Sequence, residues 1–290
     1  MKLISKFEYL FWAATQWPQA DTSCPFCQSS NTGFVYRKYL VTSLRRCSYC
    51  QLMFRVPKSH PERDATFYEH RYQEGFTTDC PNEQELANLK QTSFKGTEKD
   101  YASYIEVLRA AGLEAGDTVF DFGCSWGYGS WQLAQAGFRV FAYELSQSRA
   151  RYAEEKLGCQ MVPAPTECLQ RVDCFFSAHV IEHLSNPGYL WETAKSVLKP
   201  NGVIVLFMPS GEYQLEKQYG KARYHKLWGQ VHPLLLTSEA LGQMAQKFSL
   251  EGCAYSSPYN AAKIAAGLAD RRLDGEELLF VARRARVALP

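Results

Sequence analysis

The chain of 290 residues is long enough for one α/β domain with a full core plus a small appended module, and short for two full-sized domains. Its 32 lysines and arginines nearly balance 30 aspartates and glutamates, so no net field draws it to nucleic acid or acidic lipid. Apolar runs such as Val203 to Met208 have the length of a strand and fall far below the roughly 18 residues of a membrane span, so a soluble protein is expected.

Met1 to Pro18 carries two lysines and an aromatic cluster, Phe7, Tyr9, Phe11, Trp12 and Trp17. Glu8 interrupts it and no clear small-residue cleavage site comes after it, so the expectation is an amphipathic helix packing its aromatic side on the body, not a signal peptide. Next come Cys24-Pro-Phe-Cys27 and Cys47-Ser-Tyr-Cys50, two C-x2-C pairs separated by nineteen residues. That spacing predicts two knuckles joined into one tetrahedral thiolate site for structural Zn²⁺, with no ligand position left for water or substrate. Lys38, Arg45 and Arg46 are placed in sequence to ease its negative charge. Two short basic pairs without an aromatic platform do not make a nucleic-acid surface, and no nucleic-acid partner is expected. The remaining cysteines are scattered singly through apolar segments, which suits a reducing, cytoplasmic setting.

From Lys58 to Gln91 the chain turns polar and aromatic, and Tyr68, Tyr72 and Phe76 are expected in a connector that folds over the larger domain after it. Tyr104, Val107, Leu108 and Ala111 recur at helical spacing. Strands and helices then alternate. Strands are predicted at Thr118 to Phe122, Arg139 to Tyr143, Cys159 to Val162, Cys174 to Ala178, and Val203 to Met208 after a Lys199-Pro-Asn-Gly202 turn. Ser249 to Tyr255 and Glu277 to Ala282 close the sheet, with an antiparallel edge. This order predicts a doubly wound, Rossmann-like, mostly parallel α/β sheet carried behind a zinc-ribbon-like module. The expected division is an aromatic segment over 1–22, the zinc module over 23–57, a connector over 58–100 and the α/β domain over 101–290.

Between the first strand and helix of that domain lies Asp121-Phe-Gly123-Cys124-Ser125-Trp-Gly127-Tyr-Gly129. Its G-x-x-x-G-x-G spacing differs from the G-x-G-x-x-G that lets backbone amides approach a pyrophosphate, which argues against a nicotinamide-dependent oxidoreductase. The wider turn suits a nucleoside bearing an amino acid. Glu144, 21 residues after Gly123, ends the next strand, where a carboxylate accepts from two ribose hydroxyls.

These motifs, with His179-Val-Ile-Glu-His-Leu184 and Leu198-Lys-Pro-Asn-Gly202, resemble the class I methyltransferases over roughly Tyr101 to Tyr255. More narrowly, the chain resembles a subgroup in which paired C-x2-C motifs precede the catalytic domain, including sugar C-methyltransferases and enzymes of glycan and natural-product pathways. The resemblance implies a seven-stranded sheet and S-adenosylmethionine as cofactor. It implies that Asp121, Gly123, Cys124, Ser125, Gly127 and His179 line the methionine side, that Glu144 holds the ribose, and that adenine lies near Ala164 to Glu167. A small-molecule acceptor, sugar-like or hydroxylated, is implied as well. The N-P-P-Y type signature of base methylation is absent, His179-Val-Ile-Glu182 standing in its place.

Methyl transfer from a sulfonium needs alignment of the acceptor and, for a hydroxyl or carbon acid, removal of a proton. His179, at the carboxyl end of a strand, His183 four residues on, and His232 in a segment resembling the subgroup's His-x-x-x-x-Thr are the candidate bases. The tyrosine and acid that precede this histidine in sugar C-methyltransferases are replaced by Gly229 and Val231, so their catalytic scheme does not carry over intact. A non-catalytic protein that recruits a partner through the zinc module is the competing expectation.

Overall fold

The structure, a computed structural model, describes residues 3–58 and 79–284. Tyr68, Tyr72 and Phe76 of the expected cover lie outside these.

The apolar segments after residue 101 are strands because both of their faces are buried. β4 (Thr118–Phe122) is buried at every position, and most of β7 (Leu198–Pro209) is buried as well. With β5 (Arg139–Tyr143), β6 (Val172–Ala178), β9 (Leu250–Ser256) and β10 (Glu277–Arg284) they form a sheet of order β5-β4-β6-β7-β10-β9. The first four strands are parallel, and β10 runs antiparallel to both neighbours.

Helices cover both faces, and two short ones, α7 (Tyr213–Tyr219) and α8 (Lys221–Tyr224), follow β7. Leu190, Trp191, Ala194 and Val197 of α6 (Gly188–Val197) pack on one side with Leu241, Met244 and Ala245 of α9 (Ser238–Lys247). Val107 and Leu108 of α3 (Ala102–Ala110), Leu133 of α4 (Tyr128–Gln135) and Ile264 of α10 (Ala261–Ala265) pack on the other.

Two expectations change. The predicted strand Cys159 to Val162 is one parallel bridge, Met161 to Ala142, so among the described residues six strands and a bridge stand where seven were expected. Gln160 O and Val162 N both bond to Ala142, but Pro163 and Pro165 have no N–H to continue the ladder. Lys199-Pro-Asn-Gly202 is not a turn before β7. It is an irregularity inside the strand, between the pairs Val172–Leu198 and Cys174–Val203.

Ahead of the domain, β1 (Thr32–Lys38), β2 (Thr42–Cys47) and β3 (Met53–Val56) form an antiparallel meander. Its fourth strand comes from the far side of the sequence: β8 (Leu234–Leu235) pairs with Met53 and Phe54. Phe26, Leu52, Phe54 and Val56 share one apolar cluster with Phe175, Leu190 and Leu206, so the module's core is continuous with the domain's. α1 (Leu3–Gln16) buries Tyr9 and Ala13, and the Arg55 guanidinium lies 5.5 Å from the rings of both Tyr9 and Trp12. The expected packing of the aromatic side is therefore partial, since Phe7 and Phe11 face solvent at 66% and 75% exposure.

Between module and domain, α2 (Glu83–Gln91) begins in a capping box made by Asn82 and Glu85. Tyr152 of α5 (Gln147–Leu157) donates to Pro81 O at 2.7 Å and ties this stretch to the domain. No helix of the described residues is long and apolar enough to cross a membrane.

Candidate active site and thiolate centre

β4 delivers Asp121 to the carboxyl edge of the sheet, and the chain turns into α4 through Gly123, Ser125 and Gly127, all at positive φ (83°, 52° and 86°). A Cβ on Gly123 would stand 2.5 Å from Val180 Cγ2, and one on Gly127 would stand 2.7 Å from Ala153 Cβ and 2.8 Å from Cys159 Sγ. The loop is thus pressed between the start of the 179–184 segment and α5, and only glycine fits at its two ends. Gly129 is held as closely, against the Tyr101 ring.

Asp121 is 2% exposed and accepts a 2.6 Å hydrogen bond from Ser130 Oγ. Burial pushes its carboxyl up to about 7, and the nearby Glu144 charge adds to the rise. Glu144 stands just past β5. Its carboxylate accepts from Ser125 N at 3.0 Å and Ser146 N at 2.9 Å, one bond per oxygen. An ionised carboxylate has about four acceptor sites, so capacity remains for two hydroxyls. Ser125 Oγ is buried without a hydrogen-bond partner, and Leu145, beside Glu144, is 59% exposed. Cys124 is buried, and burial pushes its thiol up. An acceptor-rich strand end, an unsatisfied hydroxyl and an exposed apolar side chain fit a nucleoside bearing an amino acid.

β6 ends at Ala178 and His179 comes next at φ 56°, its N–H donating to Phe207 O. Its Nε2 lies 2.6 Å from Glu277 Oε1 and 3.3 Å from Tyr104 Oη, and its Nδ1 lies 3.5 Å from Glu182 Oε1. Burial works against its protonation, but the facing carboxylates of Glu182 and Glu277 outweigh this and push it up to about 10. The His179 side chain is 44% exposed, and both facing carboxylates favour its charged form.

Tyr104 and Tyr259 both donate to Glu277, the first residue of β10. Sequence reasoning missed this acid. Its one legible signal is a charge at the head of an apolar strand. In the sequence Tyr104 shows only as part of the helical stripe.

His183 and His232, 49 positions apart in sequence, are brought together with ring centroids 4.6 Å apart at an interplanar angle of 75°. His183 Nδ1 lies 2.9 Å from Val231 O, and His232 Nδ1 lies 3.3 Å from Leu227 O. Burial lowers His183 to about 4 in spite of the opposing Glu182 charge. Thr237, the end of the His-x-x-x-x-Thr segment, is the N-cap of α9 and accepts from Ala240 N.

In the module, Cys24, Cys27, Cys47 and Cys50 bring their sulfurs within 4.8 Å of one another. Cys24 and Cys50 are 3.5 Å apart, Cys27 and Cys47 3.4 Å, and all four are free thiols. The two knuckles match: Gln28 N bonds Cys24 O, Gln51 N bonds Cys47 O, and both glutamines sit at positive φ. Four sulfurs at Zn–S distances of about 2.3 Å stand a little under 4 Å apart, so the group fits a tetrahedral ion with small adjustment.

The basic side chains expected to ease its charge are engaged elsewhere. Arg45 bonds Thr32, Arg46 pairs with Glu239, and Lys38 Nζ donates to His225 O and Trp228 O. A backbone amide, Tyr49 N, points at Cys47 Sγ from 3.4 Å.

A family described as a methyltransferase domain matches residues 95–254, more than half of the chain. Ubiquinone biosynthesis O-methyltransferase of Caulobacter vibrioides is 32% identical over 99 residues, covering 31% of this chain and 39% of that protein. An uncharacterized methyltransferase of a Geobacillus species is 26% identical over 113 residues, 36% of this chain and 53% of that protein. These matches thus span about half or less of either relative's length. Among solved structures, an S-adenosylmethionine-dependent methyltransferase from Thermotoga maritima superposes with a TM-score of 0.48 at 15% identity, covering 70% of this chain and 98% of that one.

Proposed function

Since the chain belongs to the methyltransferase-domain family, we propose that it transfers the methyl group of S-adenosylmethionine to a hydroxyl of a small acceptor, with a structural zinc ion in its N-terminal module. The observation that carries the cofactor reading is the convergence of the glycine loop, buried Asp121 and Glu144 at one sheet edge, where open α/β sheets bind ligands. In this reading the Gly123–Gly127 loop, Cys124 and Ser125 surround the methionine part, and Asp121 faces its cationic end. Glu144 holds the ribose, and Leu145 offers an apolar platform to the base beside Ala164 to Glu167. The cofactor supplies an activated methyl carbon. The protein's part is to align the acceptor and manage its proton.

His179, His183 and His232 stand on the acceptor side of this arrangement. Oxygen as the methylated atom draws support from the Caulobacter relative, an O-methyltransferase. The subgroup reading, with sugar or natural-product acceptors, rests on the thiolate module that precedes the domain.

The test is calorimetry of the purified, zinc-analysed chain with S-adenosylhomocysteine, and then an acceptor screen that reads S-adenosylhomocysteine release. Micromolar binding, one zinc per thiolate centre and turnover with a hydroxylated acceptor are expected. A folded, zinc-loaded protein that binds no S-adenosylhomocysteine overturns the reading and leaves the partner-recruiting alternative.

A further inference from the structure

Behind His179 lies a polar cluster that proton transfer alone does not explain. Glu182 is only 3% exposed, yet neither carboxylate oxygen accepts a hydrogen bond. The nearest cationic atom, His179 Nδ1, is 3.5 Å from Oε1. A buried carboxylate ordinarily collects two or more donors.

Facing it are His183, whose Nε2 is 3.9 Å from Glu182 Oε1, and His232, packed edge-on against the His183 ring. One donor atom from each of the three residues can be chosen so that all lie within 4.8 Å of one another. In both histidines Nδ1 is placed to donate to a backbone carbonyl, which fixes the tautomer with the lone pair on Nε2. Such a second hydrogen bond is the usual support of a metal-bound imidazole. Ligand atoms at 2.0–2.2 Å from an ion stand roughly 3–4 Å apart, so small side-chain rotations would close the set.

We infer that Glu182, His183 and His232 form a second metal site, distinct from the thiolate centre, that takes a divalent transition-metal ion on two imidazoles and one carboxylate. Such a set is half-open: three protein ligands leave at least one position for an exogenous oxygen. The inference deepens the proposed methyl transfer and, for its role, rests on it. The ion would bind the acceptor hydroxyl and lower its pKa, so that the proton leaves to water and the bound oxygen attacks. The new bond joins that oxygen to the methyl carbon while the carbon–sulfur bond breaks, its electron pair staying on sulfur to give S-adenosylhomocysteine. Acceptors with a second oxygen beside the first, able to chelate, are the class such an ion selects.

The test uses the full chain with zinc already bound at its thiolate centre, titrated with Co²⁺ and read by absorption and calorimetry. One further equivalent is expected, with ligand-field bands of nitrogen and oxygen ligands and no thiolate charge-transfer intensity. Glu182→Gln and His232→Ala should each weaken that binding by about 100-fold or more, and His232→Ala should leave S-adenosylhomocysteine affinity unchanged. If Glu182→Gln does not fold, His232→Ala, at a half-buried position, decides. No saturable Co²⁺ binding in a wild-type chain that binds S-adenosylhomocysteine overturns the ion site alone, as does equal Co²⁺ affinity in wild type and His232→Ala. Co²⁺ binding lost in the variants, in a protein that does not bind S-adenosylhomocysteine, upholds the ion site and removes the transferase reading.

Discussion

Asp121 has a buried carboxyl group that meets the Ser130 hydroxyl, so its charged form lacks the solvation it has in water. With its pKa raised to about 7 from an ordinary 3.8, the folded state holds a proton that the unfolded chain has released. The favourable contribution is fully present below about pH 4 and is lost as pH rises through about 7. It is worth at most about 4 kcal/mol. Urea unfolding of wild type and Asp121→Asn between pH 5 and 8 should therefore show the wild type losing stability relative to the variant as pH rises. A constant difference would place the carboxyl at an ordinary pKa.

Glu144 makes the complementary case, a carboxylate already bonded to two backbone amides. Its replacement by alanine should weaken S-adenosylhomocysteine binding by roughly 10- to 100-fold, the usual worth of hydrogen bonds to a charged group. Calorimetry reads the affinity and a thermal melt shows that the fold survives. Unchanged affinity would remove the ribose assignment. Both acids are legible in the sequence because each stands at the carboxyl end of a strand of strong apolar pattern. Glu277 and Tyr104 are not, because they meet His179 only when β10, α3 and β6 converge.

At the scale of elements, the glycine loop is the joint on which β4, α4 and α5 close. Gly127 combines φ 86° with a Cβ direction filled by Ala153 and Cys159. Alanine there meets left-handed strain of about 1–2 kcal/mol and a clash with a helix backbone that cannot retreat. Gly127→Ala is expected to cost about 2–4 kcal/mol in chemical denaturation and to weaken S-adenosylhomocysteine binding as well. A loss under 1 kcal/mol would mean that the loop relaxes freely.

Alternation of strand and helix makes most of the sheet readable from the sequence, since parallel strands buried on both faces are nearly continuous apolar runs. Cys159 to Val162 misleads because apolar-leaning residues ahead of Pro163 and Pro165 carry the composition of a strand without the donors to pair it. The Lys199 to Gly202 tetrapeptide carries turn chemistry, but the flanking pairs of β6 and β7 hold it as a bulge.

At the scale of the whole molecule, the thiolate module packs against the segment that carries His232, one of the residues of the proposed acceptor side. β8 completes its sheet. Lys38 binds the carbonyls of His225 and Trp228, and the buried Arg55 binds those of Gly229 and Gln230. These contacts fix the 225–232 segment that carries His232 to His183. None of this could be read from the spacing of the cysteines, because a two-residue strand and carbonyl contacts leave no periodic trace.

Removing the zinc ion proposed for the thiolate centre should therefore act in two unequal ways. Cys47→Ser opens the knuckle whose backbone is continuous with β2, and loss of a structural zinc ligand withdraws several kcal/mol of folding free energy. At roughly 2–4 °C per kcal/mol for a domain of this size, the melting temperature should fall by about 10 °C. Acceptor turnover should fall more steeply than S-adenosylhomocysteine affinity, because the glycine loop and Glu144 are held by β4, β5 and α5 while His232 is held by the module. Measured below the lowered melting temperature, equal losses of affinity and turnover would show that the module supports the fold as a whole and not the acceptor side in particular.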